Sequence, residues 1–309
     1  MIDRAVEVLR RGGLVGLPTE TVYGLGADAT NAAAVARVFA VKGRPATNPL
    51  IAHVASVEVA RRYVMDWPGL AQRLADQFWP GPLTIVLPRR TQPLPGAGLI
   101  VNAVTAGRGT VALRVPAHGL TLEVLRIFDR AVAAPSANRS TRVSPTTAGH
   151  VRDELGDAVD LVLDGGACSV GIESTVIDLT PARPRILRPG QVTRAMIEAL
   201  IGPVDDASDT ILPVDTAAVS PGQHERHYAP VTAAFRFEAA DRLKLPLESA
   251  AVLEITPDAE SYARQFYARL RLLDTQQLRA IYIEMPPDTP AWAAVRDRIR
   301  RATRPLPTE

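Results

Sequence analysis

Leu14-Val15-Gly16-Leu17-Pro18-Thr19-Glu20-Thr21-Val22-Tyr23-Gly24-Leu25-Gly26 runs from a short apolar stretch, read as a buried strand, into a polar segment that begins at a proline. A polar loop directly at a strand end is where open α/β sheets bind ligands. Upstream, residues 3–11 carry apolar positions at helical spacing and stop at Gly12-Gly13. Residues 18–28 have no periodicity and are expected to form a loop.

Downstream, Asn31 is placed to cap a helix over residues 32–41, which Gly43 and Pro45 end, leaving Lys42 and Arg44 just past it. Strands are expected at 50–54, 83–87, 110–115, 131–134, 161–163, 174–179 and 185–187. Helices near 56–65, 68–78, 118–128, 147–155 and 193–200 lie among them, an interleaving that signifies an α/β sheet. Residues 201–230 lose the pattern and collect Pro203, Pro213, Pro221, Gly222 and Pro230, which is linker composition. Beyond it, strands at 231–237, 250–255 and 279–284 alternate with helices at 259–273 and 290–301, as in a small parallel α/β unit. The expected division is a first domain over 1–200, a linker over 201–230 and a small C-terminal domain over 231–309.

With 309 residues, 47% of them hydrophobic, the chain can bury a large core. Lys plus Arg total 35 against 33 for Asp plus Glu, too even for a strongly basic nucleic-acid surface. The single cysteine, Cys168, excludes an internal disulfide and a cysteine-based zinc knuckle, which fits a reducing compartment. Asp3, Arg4, Glu7, Arg10 and Arg11 break any N-terminal signal region, and no run approaches the ~18 apolar residues of a membrane span. A cytoplasmic protein is expected.

Only Lys42 and Lys244 are lysines, so the one in Lys42-Gly43-Arg44-Pro45 calls for a reason. An ammonium suits a point contact to phosphate and a guanidinium a bidentate one; the bland alternative is a solvated helix end whose cations offset the helix dipole. No G-x-x-x-x-G-K-[ST] exists, so any triphosphate must meet scattered cations. Gly24-Leu25-Gly26-Ala27-Asp28-Ala29 fits a dinucleotide pattern only loosely, beginning well after its strand and lacking an acidic residue ~20 positions on. Arg114 sits inside an apolar strand, where it is costly unless a ligand anion or a structural carboxylate meets it. Arg188 repeats the pattern at another strand end, and Ser136, Asn138 and Ser144 supply short groups able to hydrogen-bond ribose or phosphate. His224 and His227 resemble a metal pair only superficially, because Pro221 and Pro230 oppose the helix that would aim both rings, so no metal site is expected.

The Pro18–Gly26 stretch, Lys42-Gly43-Arg44-Pro45 with Asn48-Pro49-Leu50, and Ser136-Ala137-Asn138 together resemble the YrdC-like threonylcarbamoyl-AMP synthase family, whose signature pairs K-x-R with S-x-N. The likeness continues through Phe78-Trp79-Pro80-Gly81-Pro82-Leu83-Thr84, Leu113-Arg114-Val115-Pro116 and Glu173-Ser174-Thr175-Val176, so it covers roughly residues 3–200. Ser220-Pro221-Gly222 and His227-Tyr228-Ala229-Pro230 resemble the linker of its two-domain form, although residues 223–226 depart from the expected version. The resemblance implies a twisted mixed sheet with an open concave cleft, plus a small Rossmann-like C-terminal α/β domain. It implies ATP-dependent synthesis of L-threonylcarbamoyl-AMP from L-threonine and bicarbonate, the first step of threonylcarbamoyl-adenosine formation in tRNA, with pyrophosphate released.

By the same resemblance Thr21, His53, Arg114, Ala134 and Ser174 contact L-threonine, with Arg114 on its carboxylate. Arg44, Asn48, Thr110, Ser136, Asn138, Ser144, Arg188 and Tyr228 contact ATP, and Lys42 lies with Arg44 against the phosphates as the catalytic pair. Mg²⁺ accompanies ATP, and tRNA or a tRNA-modifying enzyme is a further partner. Two other readings are a structured-RNA-binding module and a carbamoyltransferase starting from carbamoyl phosphate. Near-zero net charge weighs against the first, and the lack of cysteine-rich zinc segments and extra domains against the second.

Overall fold

The computed structural model describes residues 1–94, 98–206 and 227–306. Most of the expected linker, including Ser220, Pro221, Gly222 and His224, lies outside the described residues.

The first unit carries β1 (Val15–Leu17), β2 (Gly24–Asp28), β3 (Ile51–His53), β4 (Leu83–Pro88), β5 (Thr110–Arg114), β6 (Val132–Ala133), β7 (Leu161–Val162), β8 (Thr175–Asp178), β9 (Arg185–Arg188) and β10 (Asp205–Asp206). They form one sheet in the order β10-β9-β8-β4-β5-β3-β6-β2-β1-β7. It is mixed: β3 runs parallel to β5 and β4 parallel to β8, while β4–β5, β3–β6 and β1–β2 are antiparallel. The second unit carries β11 (Ala233–Phe237), β12 (Ala250–Leu253), β13 (Ala280–Glu284) and β14 (Arg304–Pro305), a wholly parallel sheet in the order β12-β13-β11-β14. Among the described residues no helix is long and apolar enough to cross a membrane.

Helix Ala32–Lys42 forms as its ends dictate. Asn31 Oδ1 accepts from the Ala33 and Ala34 amides, and Gly43 closes the helix in the left-handed region at φ 59°. Two expectations are corrected. Residues 18–28 are not all loop: Gly24–Asp28 pairs antiparallel with β1, and its five residues are buried on both faces, so polar/apolar alternation is lost. The sheet also reaches past residue 200, because Asp205–Asp206 pairs with β9.

The core of the second unit does not stop at its own boundary. Helix Ala259–Asp274 presents Tyr262, Phe266, Tyr267 and Leu270 to a cluster that takes in Val22, Val143 and Ile172 of the first unit, along with Tyr228. Each large apolar side chain buried there contributes about 1.5–3 kcal/mol. The contact is close enough to require glycine: a Cβ on Gly171, at φ +81°, would lie 2.5 Å from Arg264 Cα.

Candidate active site

A cavity opens on the sheet where β2, β3, β5, β8 and β9 bring their ends together. Arg44, Arg114 and Arg188 all line it, with Thr21, His53, Ala134, Ser136, Ser174 and Tyr228. Cations from three distant stretches of chain therefore share one chamber. Next to it, Ile51, Val86, Ala112, Val176 and Leu187 form an apolar floor.

At one end the charge is balanced internally. Arg114 Nη2 donates to Glu20 Oε1 at 2.7 Å and its Nε donates to the Gly81 carbonyl at 3.1 Å; the Ala117 amide donates to Glu20 Oε2 at 2.9 Å. Both side chains of the pair are buried. The structural carboxylate considered for Arg114 is thus Glu20, from the loop after β1. That loop is folded by Thr19, whose hydroxyl donates to the Val22 carbonyl at 2.6 Å and lies 2.8 Å from the Thr21 hydroxyl.

His53 faces the same end. Burial, and then the neighbouring Arg114 charge, push its pKa down to about 3, so it is neutral at pH 7. The folded state refuses a proton that the unfolded chain accepts near 6.5, so this contribution to stability is complete above that pH and is lost as pH falls toward 3. Between pH 7.5 and 5.0 the wild type should lose ~2 kcal/mol more than His53→Gln. Urea unfolding of both proteins at the two pH values checks this, and equal losses would mean that buried His53 protonates as an ordinary histidine does.

The other end is crowded with positive charge. Arg44 donates through Nε to the Asn48 carbonyl at 3.1 Å and through Nη2 to the Pro49 carbonyl at 2.8 Å. Lys42 Nζ donates to the Ser136 carbonyl at 2.5 Å and to the Asn138 carbonyl. Neither cation forms an ion pair among the described residues. Burial, followed by Arg44, holds Lys42 well below the ordinary lysine range; burial also pushes Arg44 down to about 10, with Arg188 adding to the shift and Tyr228 opposing it. His227, a further wall residue, is held well below its ordinary value by burial and then by Arg44, Lys42 and Arg188. Such a cluster favours a polyanion.

Arg188 reaches the main chain beside the cavity, its Nε donating to the Ser174 carbonyl at 3.0 Å and Nη2 to Ser174 Oγ at 3.1 Å. The Ser174 hydroxyl lies 2.8 Å from that of Thr84. Glu173 accepts from Ser144 Oγ at 2.6 Å. The buried amide oxygens of Asn48 and Asn138 have no hydrogen-bond partner among the described residues, a costly state for groups without a ligand.

Sequence profiles extend the comparison beyond this geometry. The family described as "Telomere recombination" matches residues 7–190, and "Threonylcarbamoyl-AMP synthase, C-terminal domain" matches residues 192–303. Threonylcarbamoyl-AMP synthase of Pyrococcus abyssi is 37% identical, with 97% of this chain and 93% of the relative covered. The chain belongs to the threonylcarbamoyl-AMP synthase family. The Bacillus subtilis member is 35% identical, covering 97% of this chain and 92% of its own. A crystal structure of P. abyssi Sua5 complexed with L-threonine superposes with a TM-score of 0.89 at 36% identity, covering 99% of this chain and 96% of that one.

Within this threonylcarbamoyl-AMP synthase family fold, several expected site residues stand away from the chamber itself. Lys42 lies behind the wall, bracing the Ser136–Asn138 carbonyls, and Ser144 is fully buried on Glu173. Asn48 is buried beside Arg44, and Asn138 donates to the Arg139 and Arg142 carbonyls, both at 2.8 Å. Thr110 shares a face of β5 with Ala112 and Arg114, about 13 Å from the arginine at strand rise. It therefore marks the far side of the apolar floor.

The sequence reading missed Thr19 and His227 as wall residues and Glu173 as a hub. Glu173 had a signal, since it precedes Ser174 in a quoted motif and an acid next to a buried strand needs a partner. His227 is quoted in the linker motif and weighed as a metal ligand, but neither reading makes it a wall residue.

Proposed function

We propose that this chain, a transferase by family, adenylates a carbamate of L-threonine. The observation that carries the reading is one chamber with a charge-balanced Arg114–Glu20 pair at one end and crowded cations at the other. A zwitterionic amino acid suits the first end and a triphosphate the second. Arg114 has further donors for the α-carboxylate, while Thr21 and neutral His53 offer hydrogen bonds to the rest of threonine. Arg44 and Arg188 meet the phosphates, and the apolar floor toward Thr110 offers a surface for the adenine ring.

The threonine amine takes up bicarbonate-derived carbon to form a carbamate with loss of water. A carbamate oxygen attacks the α-phosphorus as the bond to the bridging oxygen of the β-phosphate breaks, and pyrophosphate leaves. No protein nucleophile is needed. Catalysis rests on holding the two reactants in line and on cations that stabilise the charge that develops. Mg²⁺ would enter with ATP as part of the substrate and would add positive charge on the phosphates to that of Arg44 and Arg188. Tyr228 and His227 wall the chamber from water, which would hydrolyse the adenylate. The product is then passed, in the cytoplasm, to the enzyme that modifies tRNA.

Pyrophosphate release from ATP, measured with threonine and bicarbonate each omitted in turn, tests the reading. Release should require both. Threonine-independent release, or none with all substrates present, contradicts it.

A further inference from the structure

The C-terminal unit sends one fully buried cation to Glu173, in the wall of the chamber. Arg298 lies on helix Ala293–Ala302 and is 0% exposed. Its Nε donates to Glu173 Oε2 at 2.7 Å and its Nη2 to the Pro189 carbonyl at 3.0 Å. The same carboxylate oxygen accepts from the Tyr267 hydroxyl at 3.0 Å, while Glu173 Oε1 holds Ser144. The guanidinium carbon also sits 5.2 Å from the centre of the Tyr228 ring, which Tyr267 flanks at 5.8 Å.

Tyr228 itself adopts φ 63°, a left-handed conformation that favours glycine and strains a tyrosine. Its neighbours hold it there from opposite units: the His227 amide donates to the Arg301 carbonyl at 3.1 Å, and the Ala229 amide to the Thr141 carbonyl at 2.8 Å. We infer that Arg298 is a positioning residue, through which the C-terminal unit fixes Glu173 and Tyr228 and thereby shapes the triphosphate end of the chamber. Resting on the ATP reading above, this gives the second domain a part in the reaction without contact to substrate. The threonine end stands apart, since the side-chain hydrogen bonds that hold Arg114, Glu20 and Thr21 come from Thr19, Gly81 and Ala117 of the first unit and from the Arg114–Glu20 pair itself.

Calorimetric titration of the full chain with ATP and, separately, with L-threonine reads the effect. Arg298→Met should weaken ATP binding tenfold or more and leave the threonine Kd within twofold. Arg298→Lys, which keeps the charge but not the forked contact, should recover part of the loss. Tyr267→Phe removes one hydrogen bond from Glu173 while retaining the ring, and should weaken ATP threefold or more even if Arg298→Met does not fold. An ATP Kd within twofold of wild type in a folded Arg298→Met, or in Tyr267→Phe when that variant alone folds, overturns the inference. Equal weakening of both ligands also overturns it, by reducing Arg298 to general support of the fold. A wild-type protein that binds no ATP sinks the ATP reading itself.

Discussion

Arg44→Ala should lower threonine- and bicarbonate-dependent pyrophosphate release at least a hundredfold, with the protein still folded. The size follows from removing one preorganised donor where, in the proposed mechanism, transition-state charge gathers, which costs about 10²–10³ in rate. Survival of the fold follows from its partners. Arg44 donates to two main-chain carbonyls and forms no ion pair among the described residues, so no carboxylate is orphaned when it goes. Arg44→Lys should recover only part of the rate, because an ammonium cannot fork across two phosphate oxygens. Steady-state assays beside thermal unfolding check both halves, and near wild-type turnover in Arg44→Ala would remove Arg44 from the site.

Arg114→Met should behave in the opposite way toward stability. It strands Glu20, a carboxylate only 6% exposed, without its guanidinium. Breaking a buried pair from one side costs about 3–5 kcal/mol, whereas replacing both members by neutral groups is often close to neutral. Arg114→Met combined with Glu20→Gln should therefore regain most of the lost stability. It should not regain threonine binding, because the cation proposed to meet the α-carboxylate is still missing. Denaturant unfolding and threonine titration of both variants separate the two effects. A double variant that binds threonine normally would leave Arg114 a purely structural residue.

What was legible in the sequence is what local chemistry controls. Asn31 and Gly43 bound one helix through caps that act over a single turn; Arg44 falls past its end as expected, while Lys42, expected just beyond it, is its last residue. Leu113-Arg114-Val115 announced a buried cation in need of an anion, but not which one, since Glu20 stands 94 residues earlier in the chain. β2 escaped because a short strand buried on both faces carries no alternation, and Gly24 and Gly26 resemble loop residues. Lys42 is read as a phosphate contact from its charge and from the family resemblance. The fold turns its ammonium to the Ser136 and Asn138 carbonyls instead, which only tertiary structure could decide.

Arg298 was harder still. Ala294, Val295, Arg298, Ile299 and Ala302 are buried at helical spacing, so an arginine occupies the apolar stripe of its helix. That anomaly was present in the sequence, but its partner Glu173 lies 125 residues away in the other unit.

A crystal structure of the protein with L-threonine and a non-hydrolysable ATP analogue bound together tests the two-ended chamber most directly. The threonine carboxylate should lie on Arg114, with the triphosphate between Arg44 and Arg188 and its α-phosphorus facing the threonine amine. Either ligand found outside this cavity, or the triphosphate seated against the Arg114–Glu20 pair, would contradict the account.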